Sequence, residues 1–209
     1  MKRIQRLFLV LFLSVCALSC IPVFENPLPK DTEFSVDPAL LGSWILKEGD
    51  VQLFFFPDQP GVMQVLSLEN FSYQPYIENK NIMLAEGFTA KIKGHTYLCM
   101  KMGEHTRQVS GLTDFSNDSC YIILHYEISK DTLTLNHLEP DYFAEAVTKK
   151  KLTGRNTSDK GLKDPIISAD SESIAAFFRD ADFSKMVDRE NSSVFTRKEA
   201  LYIPPEEKH

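Results

Sequence analysis

Positive charge is scarce in this sequence of 209 residues, which has 23 Lys and Arg against 29 Asp and Glu. Residues 1–19 hold three of the basic residues and no acidic one, so the rest of the chain keeps 20 basic and 29 acidic residues, a net charge of −9. Binding to nucleic-acid phosphates needs clustered positive charge. The composition therefore argues against nucleic acid as a partner.

Motifs for catalysis and metal binding are also missing. The sequence has no Gly-x-Ser-x-Gly, phosphate loop, Cys-x-x-Cys or His-Glu-x-x-His. His95 and Cys99 would share a strand face but lie roughly 13 Å apart along it, too far to share a zinc ion. Cys120 and His125 are five residues apart and fall on opposite faces. We therefore predict no enzyme activity, no cofactor and no metal.

Cysteine is scarce, with four in the chain. The predicted domain contains only Cys99 and Cys120, on either side of residues 103–119. Strand alternation places Cys99 beside Tyr97 on one face and Cys120 beside Ile122 on the other. The pattern favours two free thiols, and a disulfide would require a bulge that shifts the register.

Long apolar runs are limited to one, from Leu7 to Leu18, interrupted only by Ser14. It is shorter than the roughly 20 residues of a spanning helix. Lys2, Arg3 and Arg6 precede it and small residues follow it. This order is typical of an export signal, which we assign to residues 1–19.

The end of this signal, Ala17-Leu18-Ser19-Cys20, resembles the lipobox of bacterial lipoproteins. The resemblance implies that Cys20 becomes the N-terminus, carries a diacylglyceryl group and anchors the chain in the bacterial cell envelope. Ile21 rather than Asp after the cysteine is similar to lipoproteins of the outer membrane. Ala17-x-Ser19 also fits an ordinary cleavage site, which leaves a plainly secreted domain as an alternative. Secretion without a lipid would leave an odd number of thiols in an oxidising compartment, so parity favours the lipid.

Residues 20–38 contain four prolines and no sustained periodicity. We predict an extended tether that holds the domain away from the membrane. At the other end, residues 200–209 are predicted to form a frayed tail. Residues 39–199 then form one domain.

The first part of the domain has the pattern of a mainly β, antiparallel barrel. Short runs rich in β-branched and aromatic residues alternate with turn clusters. The predicted strands are residues 39–46, 51–56, 62–68, 71–77, 82–102, 120–128 and 132–138. Ser129-Lys130-Asp131 predicts a tight hairpin, so that Leu133 and Leu135 share an inward face with alternate residues from Ile122 to Ile128.

Two resemblances support a barrel. Gly42-Ser43-Trp44 resembles the Gly-x-Trp of the first lipocalin strand, whose tryptophan closes the barrel floor. Residues 88–198 are similar to a group of uncharacterised bacterial exported proteins, and this likeness rests on the segments Phe88–Ile92, Asp131–Leu135, Pro140–Phe143, Ile167–Ser171 and Val194–Lys198. The group implies a fold and no catalytic residue.

Two helices are predicted after the strands, near residues 140–152 and 170–180. Pro140 suits a first turn, Gly154 is expected to end the first helix, and Asp170 is expected to cap the second. Lys149 to Lys151 are expected to complement the C-terminal end of the first helix dipole, with contact to anionic lipid as the alternative. Residues 155–164 are predicted to be a loop, and residues 192–198 a last strand.

Two roles remain for such a barrel. It binds a small apolar ligand in its interior, or its core is filled and its outer surface contacts another envelope protein. In the first case the predicted lining is Trp44, Phe54, Phe56, Leu98, Met100, Leu133, Leu135 and His137.

Overall fold

The computed structural model describes residues 21–30, 36–47, 51–69, 82–102, 120–157 and 164–198. The strands are β1 (Val23–Phe24), β2 (Gly42–Leu46), β3 (Val51–Pro57), β4 (Met63–Glu69), β5 (Ile82–Ile92), β6 (His95–Met102), β7 (Tyr121–Ser129), β8 (Thr132–Asn136), β9 (Gly154–Thr157), β10 (Asp164–Ile167) and β11 (Ser193–Lys198). The helices are α1 (Pro140–Thr148), α2 (Ser171–Asp180) and α3 (Phe183–Met186). The predicted strand at 71–77, the export signal, Cys20 and the C-terminal tail lie outside the described residues.

The predicted antiparallel barrel is confirmed. Each strand from β2 to β8 pairs with the next, and β11 pairs with both β8 and β2. Eight antiparallel strands therefore close on themselves. Closure leaves none of these strands with an unpaired edge along the ring.

A tight turn divides the long predicted run at 82–102 into two strands. Lys93 and Gly94 have φ of 49° and 82°, which places both in the left-handed region between β5 and β6. Two such residues form the turn that matches the twist of a hairpin. Lys130, with φ of 54°, makes the predicted turn between β7 and β8.

One apolar cluster fills the barrel. Trp44, Phe55 and Tyr126 are its largest members, and each is at most 1% exposed. The inward residues predicted on β7 and β8 belong to it, as do Met63, Val65, Leu98, Met100 and Phe195. Burial of these side chains supplies the main stabilisation of the barrel.

A second apolar cluster lies outside the barrel, where the helices cover β5, β6 and β7. From the strands it takes Phe88, Tyr97 and Ile123, and from the helices Phe143 and Phe178. Phe143 and Phe178 are at most 3% exposed. This part of the wall is therefore buried on both faces, which explains four successive buried residues in β6.

The predicted tether is wrong for residues 21–30. Val23 and Phe24 form β1, which pairs antiparallel with β7 and parallel with β10. Ile21 and Val23 belong to the barrel core, whereas Phe24 and Leu28 belong to the outer cluster, all at most 6% exposed. β1 can join the sheet because β8 pairs only with the C-terminal half of β7. β1 pairs with the other half of β7.

The prediction was also wrong after the first helix. Pro140 does begin α1, but α1 ends before Lys150, which takes the left-handed conformation expected of Gly154. Gly154 instead opens β9, which lies mostly in the predicted loop and pairs antiparallel with β10. A Cβ at Gly154 would lie 2.4 Å from the carbonyl oxygen of Ile166, so only glycine fits this approach.

The second helix begins as predicted. The Asp170 carboxylate accepts a hydrogen bond of 2.7 Å from the Ser173 backbone N–H. This contact lowers the pKa of Asp170 because it favours the charged form. Lys149 pairs with Glu145 one turn earlier on α1, which is a local helix contact.

Candidate functional site

The interior of an eight-stranded barrel is where such folds hold a small ligand. The structure places five of the predicted lining residues in the interior cluster: Trp44, Leu98, Met100, Leu133 and Leu135. All five are at most 8% exposed. They contact one another and their neighbours as core residues, so the described part of the interior is occupied by the protein's own side chains.

The end of the barrel near Trp44 is closed by the segment before β2. The indole N–H of Trp44 donates a hydrogen bond of 2.7 Å to the Leu40 carbonyl, and Leu40 is fully buried. The guanidinium of Arg197 lies over the Trp44 ring. It donates hydrogen bonds to the carbonyls of Leu41 and Ala39 at 2.9 and 2.6 Å. The tryptophan therefore has the floor position that the Gly-x-Trp resemblance implied.

A polar contact continues this floor. The Tyr126 hydroxyl donates a hydrogen bond of 2.9 Å to the Asp37 carboxylate. Burial and the Asp37 charge raise the pKa of Tyr126, so the phenol stays neutral and remains a donor. This contact satisfies a polar atom at the edge of the apolar core.

Phe54 and Phe56 lie on the outer face of the barrel, which corrects their predicted place in the lining. Leu53 and Phe55 point inward instead. Phe56 is 46% exposed, and its ring stacks on that of Phe54 with centroids 5.9 Å apart. The register explains the correction: Leu53 is directly opposite Trp44, and opposite residues of antiparallel strands share a face.

These two rings belong to an apolar stripe. In the register across β3, β4 and β5, Phe54 is opposite Leu66, and Leu66 is opposite Leu84. Leu84 is 55% exposed. We call the outward side chains of Phe54, Phe56, Leu66, Leu68 and Leu84 the apolar stripe.

A polar depression lies on the helical side of the domain. Its volume is about 590 Å³, and it opens between the start of α1 and the chain that follows α3. Its lining includes carboxylates of Glu139, Asp188 and Glu190 and the cations of Lys185 and Arg189. Charges of both signs favour a polar occupant over an apolar one.

Two histidines lie beneath α3 beside this depression. The ring of Phe183 stacks on His95 with a centroid distance of 3.6 Å and meets the edge of His125 at 4.9 Å. His125 is 1% exposed. The Asn136 amide nitrogen lies 3.1 Å from Nδ1 of His125, which makes Nδ1 an acceptor, and Nε2 faces the Glu127 carboxylate at 3.8 Å.

This surrounding keeps His125 neutral. Burial, His95 and the Arg189 cation lower the pKa of His125 to about 4. Arg189 also pairs with Glu127 at 3.3 Å and lies over the Phe183 ring. The histidine is thus a buried, hydrogen-bonded core residue under a helical cover.

His137, the last predicted lining residue, follows β8 and is partly buried. Its carbonyl accepts a hydrogen bond from Asp188, and its Nδ1 atom is buried without a hydrogen-bond partner in the described structure. Burial lowers the pKa of His137. Glu139 lines the depression. Its pKa is raised mainly by burial and secondly by the negative charge of Asp188. These groups form a polar neighbourhood beside the depression.

The described residues contain no group of three or more His, Cys, Asp or Glu that could hold a metal ion. Cys99 and Cys120 are both buried, and neither forms a disulfide in the described structure. They belong to the outer and inner clusters respectively, as strand alternation predicted. Burial raises the pKa of Cys99 to about 12, so its thiol is protonated and unreactive near neutral pH.

The contact of His125 with Asn136 was missed in the sequence, although a signal for it existed. The hairpin pairs Ser129 with Thr132, and counting back from that pair brings His125 opposite Asn136. Both residues then fall on the outward face. The helical cover above them has no such local signal, because Phe183 follows His125 by 58 residues and Asn136 by 47.

Comparison with known proteins gives no relative: no family model, no curated protein and no solved structure matches this chain. Within the described ranges, every helix is too short or too polar to cross a membrane.

Proposed function

We propose that the protein is a bacterial cell-envelope lipoprotein, anchored through Cys20 in the outer membrane, that acts by contacts on the outside of a filled barrel. The anchor is supported by the basic, apolar and small-residue order of residues 1–20. The filled barrel is supported by one observation above all: Trp44, Phe55 and Tyr126 occupy the described interior and are almost fully buried.

An interior ligand is the weaker alternative. A site for a small apolar molecule needs a cavity of about 300 Å³ or more. In the described barrel, five of the eight predicted lining residues belong to one buried cluster, and their burial stabilises the fold. Opening this interior would sacrifice that burial, whereas the outer surface offers a polar depression and the apolar stripe at no such cost.

The anchor is tested with the full chain expressed in a bacterium. We expect the wild type in the membrane fraction with an intact mass that includes acyl chains, and we expect Cys20→Ser in the soluble fraction without them. Cys99→Ser is the matched control, because it removes a buried thiol and leaves the anchor. A wild-type chain without acyl mass would return the protein to the plainly secreted alternative.

The filled barrel is tested separately with a fluorescent fatty acid. The wild type is expected to show no saturable binding. Phe55→Ala, which opens space in the interior, is the positive control for a probe that can enter. Saturable binding by the wild type, competed by an unlabelled fatty acid, would favour the interior ligand instead.

A further inference from the structure

The short helix α3 covers two histidines with one side chain. α3 has four residues, and Phe183 at its start stacks on His95 and meets the edge of His125. Phe183 is itself only partly buried, whereas His125 is 1% exposed. Displacement of this one ring would therefore admit water to His125.

The two ends of α3 are held with different strength. At its end, Met186 is fully buried and its carbonyl accepts a hydrogen bond of 2.8 Å from the Glu139 N–H. At its start, Asp182 bonds to Ser184 and to the Tyr142 hydroxyl, and these contacts are exposed to solvent. Segments held by exposed hydrogen bonds open more readily than buried ones. The start of α3 can thus move while its end stays in place.

The groups around His125 disfavour a positive charge on its ring. Glu127 carries the negative charge among them, but its Oε1 atom already lies 3.3 Å from a guanidinium nitrogen of Arg189. The titratable and charged groups that face the ring are His95 and Tyr97 from β6, Glu127 from β7 and Arg189 from the chain after α3, with the uncharged Asn136 from β8 and Phe183 from α3.

A second proton on His125 would also break a hydrogen bond. Nδ1 accepts from the Asn136 amide, so the neutral ring has its proton on Nε2 and a second one has to bind Nδ1. Two N–H donors would then face each other across 3.1 Å. Burial adds to this cost while Phe183 lies over the ring. In an opened state water solvates the ring, and the cost disappears.

We infer that α3 is an acid-sensitive cover: a proton on His125 favours a state in which Phe183 has left the two histidine rings. A ligand that binds one of two states shifts the population toward that state, and here the ligand is the proton. Opening also reshapes the polar depression, because Phe183, Ser184 and Lys185 line it. The inference therefore adds a pH dependence to the proposed outer surface, and it does not depend on the anchor.

The expected response lies between pH 7 and pH 5. Burial lowers the pKa of His125 to about 4 in the covered state, against an ordinary value of 6.5. At pH 5 the ring is thus mostly charged in the opened state and mostly neutral in the covered one, which multiplies the opened share by about 20 relative to pH 7. Asp182 at the start of α3 is not the sensor, because hydrogen bonds from Ser184 lower its pKa and it keeps its charge in this window.

The test is amide hydrogen exchange of the full chain at pH 7 and pH 5, corrected for the pH dependence of the chemical rate and read by peptide mass. The N–H groups of Met186 and Val187 donate to the carbonyls of Asp182 and Phe183 within α3. We expect their protection to fall by about 20-fold at pH 5. The N–H groups of β8, which lies between β7 and β11, report unfolding of the whole domain and should stay more protected at both pH values.

Two variants identify the sensor. His125→Gln cannot take up the proton, so its α3 protection is expected to be equal at both pH values. His137→Gln is the matched control, because it removes another imidazole whose pKa is lowered by burial and should keep the pH response.

A second measurement serves if His125→Gln does not fold. Phe183→Ala removes the covering ring, so the pKa of His125 should rise toward 6.5, as read from deuterium exchange at its ring C2 hydrogen. Phe56→Ala makes the same change on an exposed ring of β3 and should leave that pKa unchanged.

Four results would overturn the inference. Equal α3 protection in the wild type at pH 7 and pH 5 would show that acid does not open the cover. Equal protection of α3 and β8 would show that the exchange requires unfolding of the whole domain. A pH response that survives in His125→Gln would assign the sensor to another group. An unchanged His125 pKa in Phe183→Ala would show that Phe183 is not the cover.

Discussion

The guanidinium carbon of Arg197 lies 4.1 Å from the centroid of the Trp44 ring. β11 and β2 are the last and first strands of the barrel, and these two residues are directly opposite in their register. The pair therefore joins the two ends of the barrel sequence at its floor. Arg197 also holds the segment before β2 through its bonds to two carbonyls.

Arg197→Lys is expected to lower the free energy of unfolding by about 2 kcal/mol. Lysine keeps the charge but loses the planar stack on Trp44 and one of two charged hydrogen bonds. Urea unfolding followed by tryptophan fluorescence measures the change. Lys198→Ala, an exposed neighbour, should stay within about 0.5 kcal/mol of the wild type. Equal effects of the two variants would contradict the role of the stack.

Phe24→Ala is expected to lower the free energy of unfolding by about 3 to 5 kcal/mol. Phe24 is fully buried and meets Phe143 and Phe178 edge to face. Phe56→Ala is the control with the same chemical change at an exposed position, and it should cost less than about 1 kcal/mol. Chemical denaturation compares the two. A small effect of Phe24→Ala would restore the tether for this segment.

Gly154→Ala is expected to destabilise the fold by about 1 to 3 kcal/mol. The added Cβ would meet the Ile166 carbonyl at 2.4 Å and the Val147 side chain at 3.0 Å, so β9 would have to move away from β10. A Cβ added at Gly94 would have no atom within 4 Å. Gly94→Ala therefore has only the cost of the positive φ, about 1 kcal/mol. Thermal unfolding ranks the two variants, and the reverse order would contradict the close approach.

Acid should weaken the fold through His125. Its pKa is about 4 in the folded chain, against an ordinary value of 6.5. Above pH 6.5 the histidine has no effect on pH dependence. As pH falls from 6.5 to about 4, only the unfolded chain gains the proton, so stability falls by up to about 3 kcal/mol and loses no more from this group below pH 4.

Unfolding free energies of wild type and His125→Gln, measured across this pH range, check that expectation. The wild type should lose more stability on acidification than the variant. His137→Gln is a useful companion, because burial also lowers the pKa of His137 and its removal should leave the His125 step in place. Parallel curves for wild type and His125→Gln would show that the pKa of His125 is the same in the folded and the unfolded chain, which contradicts the lowering by burial.

Thiol labelling should separate the folded from the unfolded chain. Cys99 and Cys120 are buried and not joined by a disulfide, so we expect both to react slowly with iodoacetamide under native conditions and both to be labelled after unfolding without reductant, as read by peptide mass. Failure of both thiols to react after unfolding would reveal a disulfide that this fold does not contain.

Strand alternation predicted the inward residues wherever polar residues separated the apolar ones. Ile122, Leu124 and Tyr126 were assigned to the interior because His125 and Glu127 occupy the other face. On β3 the run Leu53-Phe54-Phe55-Phe56 is apolar throughout, so periodicity fits both choices of face. The register with Trp44 decides between them, and pairing with β2 is not a property of the run itself.

The N-terminal strand was missed for a different reason. Val23 and Phe24 pair with Ile166 and Ile167, more than 140 residues later in the chain. A two-residue strand has no period to detect, and nearby prolines indicate an extended linker. Burial against a distant hairpin overrides that local preference. The polar depression was missed likewise, because α1 and the chain after α3 come together only in the folded domain.

Burial of Ile21 sets an order of events for the proposed maturation. Under that proposal the chain is cut after Ser19, two residues from a side chain that is 6% exposed in the finished core. A peptidase needs the chain around its cleavage site to lie outside the fold, so the proposed leader would have to be removed before β1 enters the sheet.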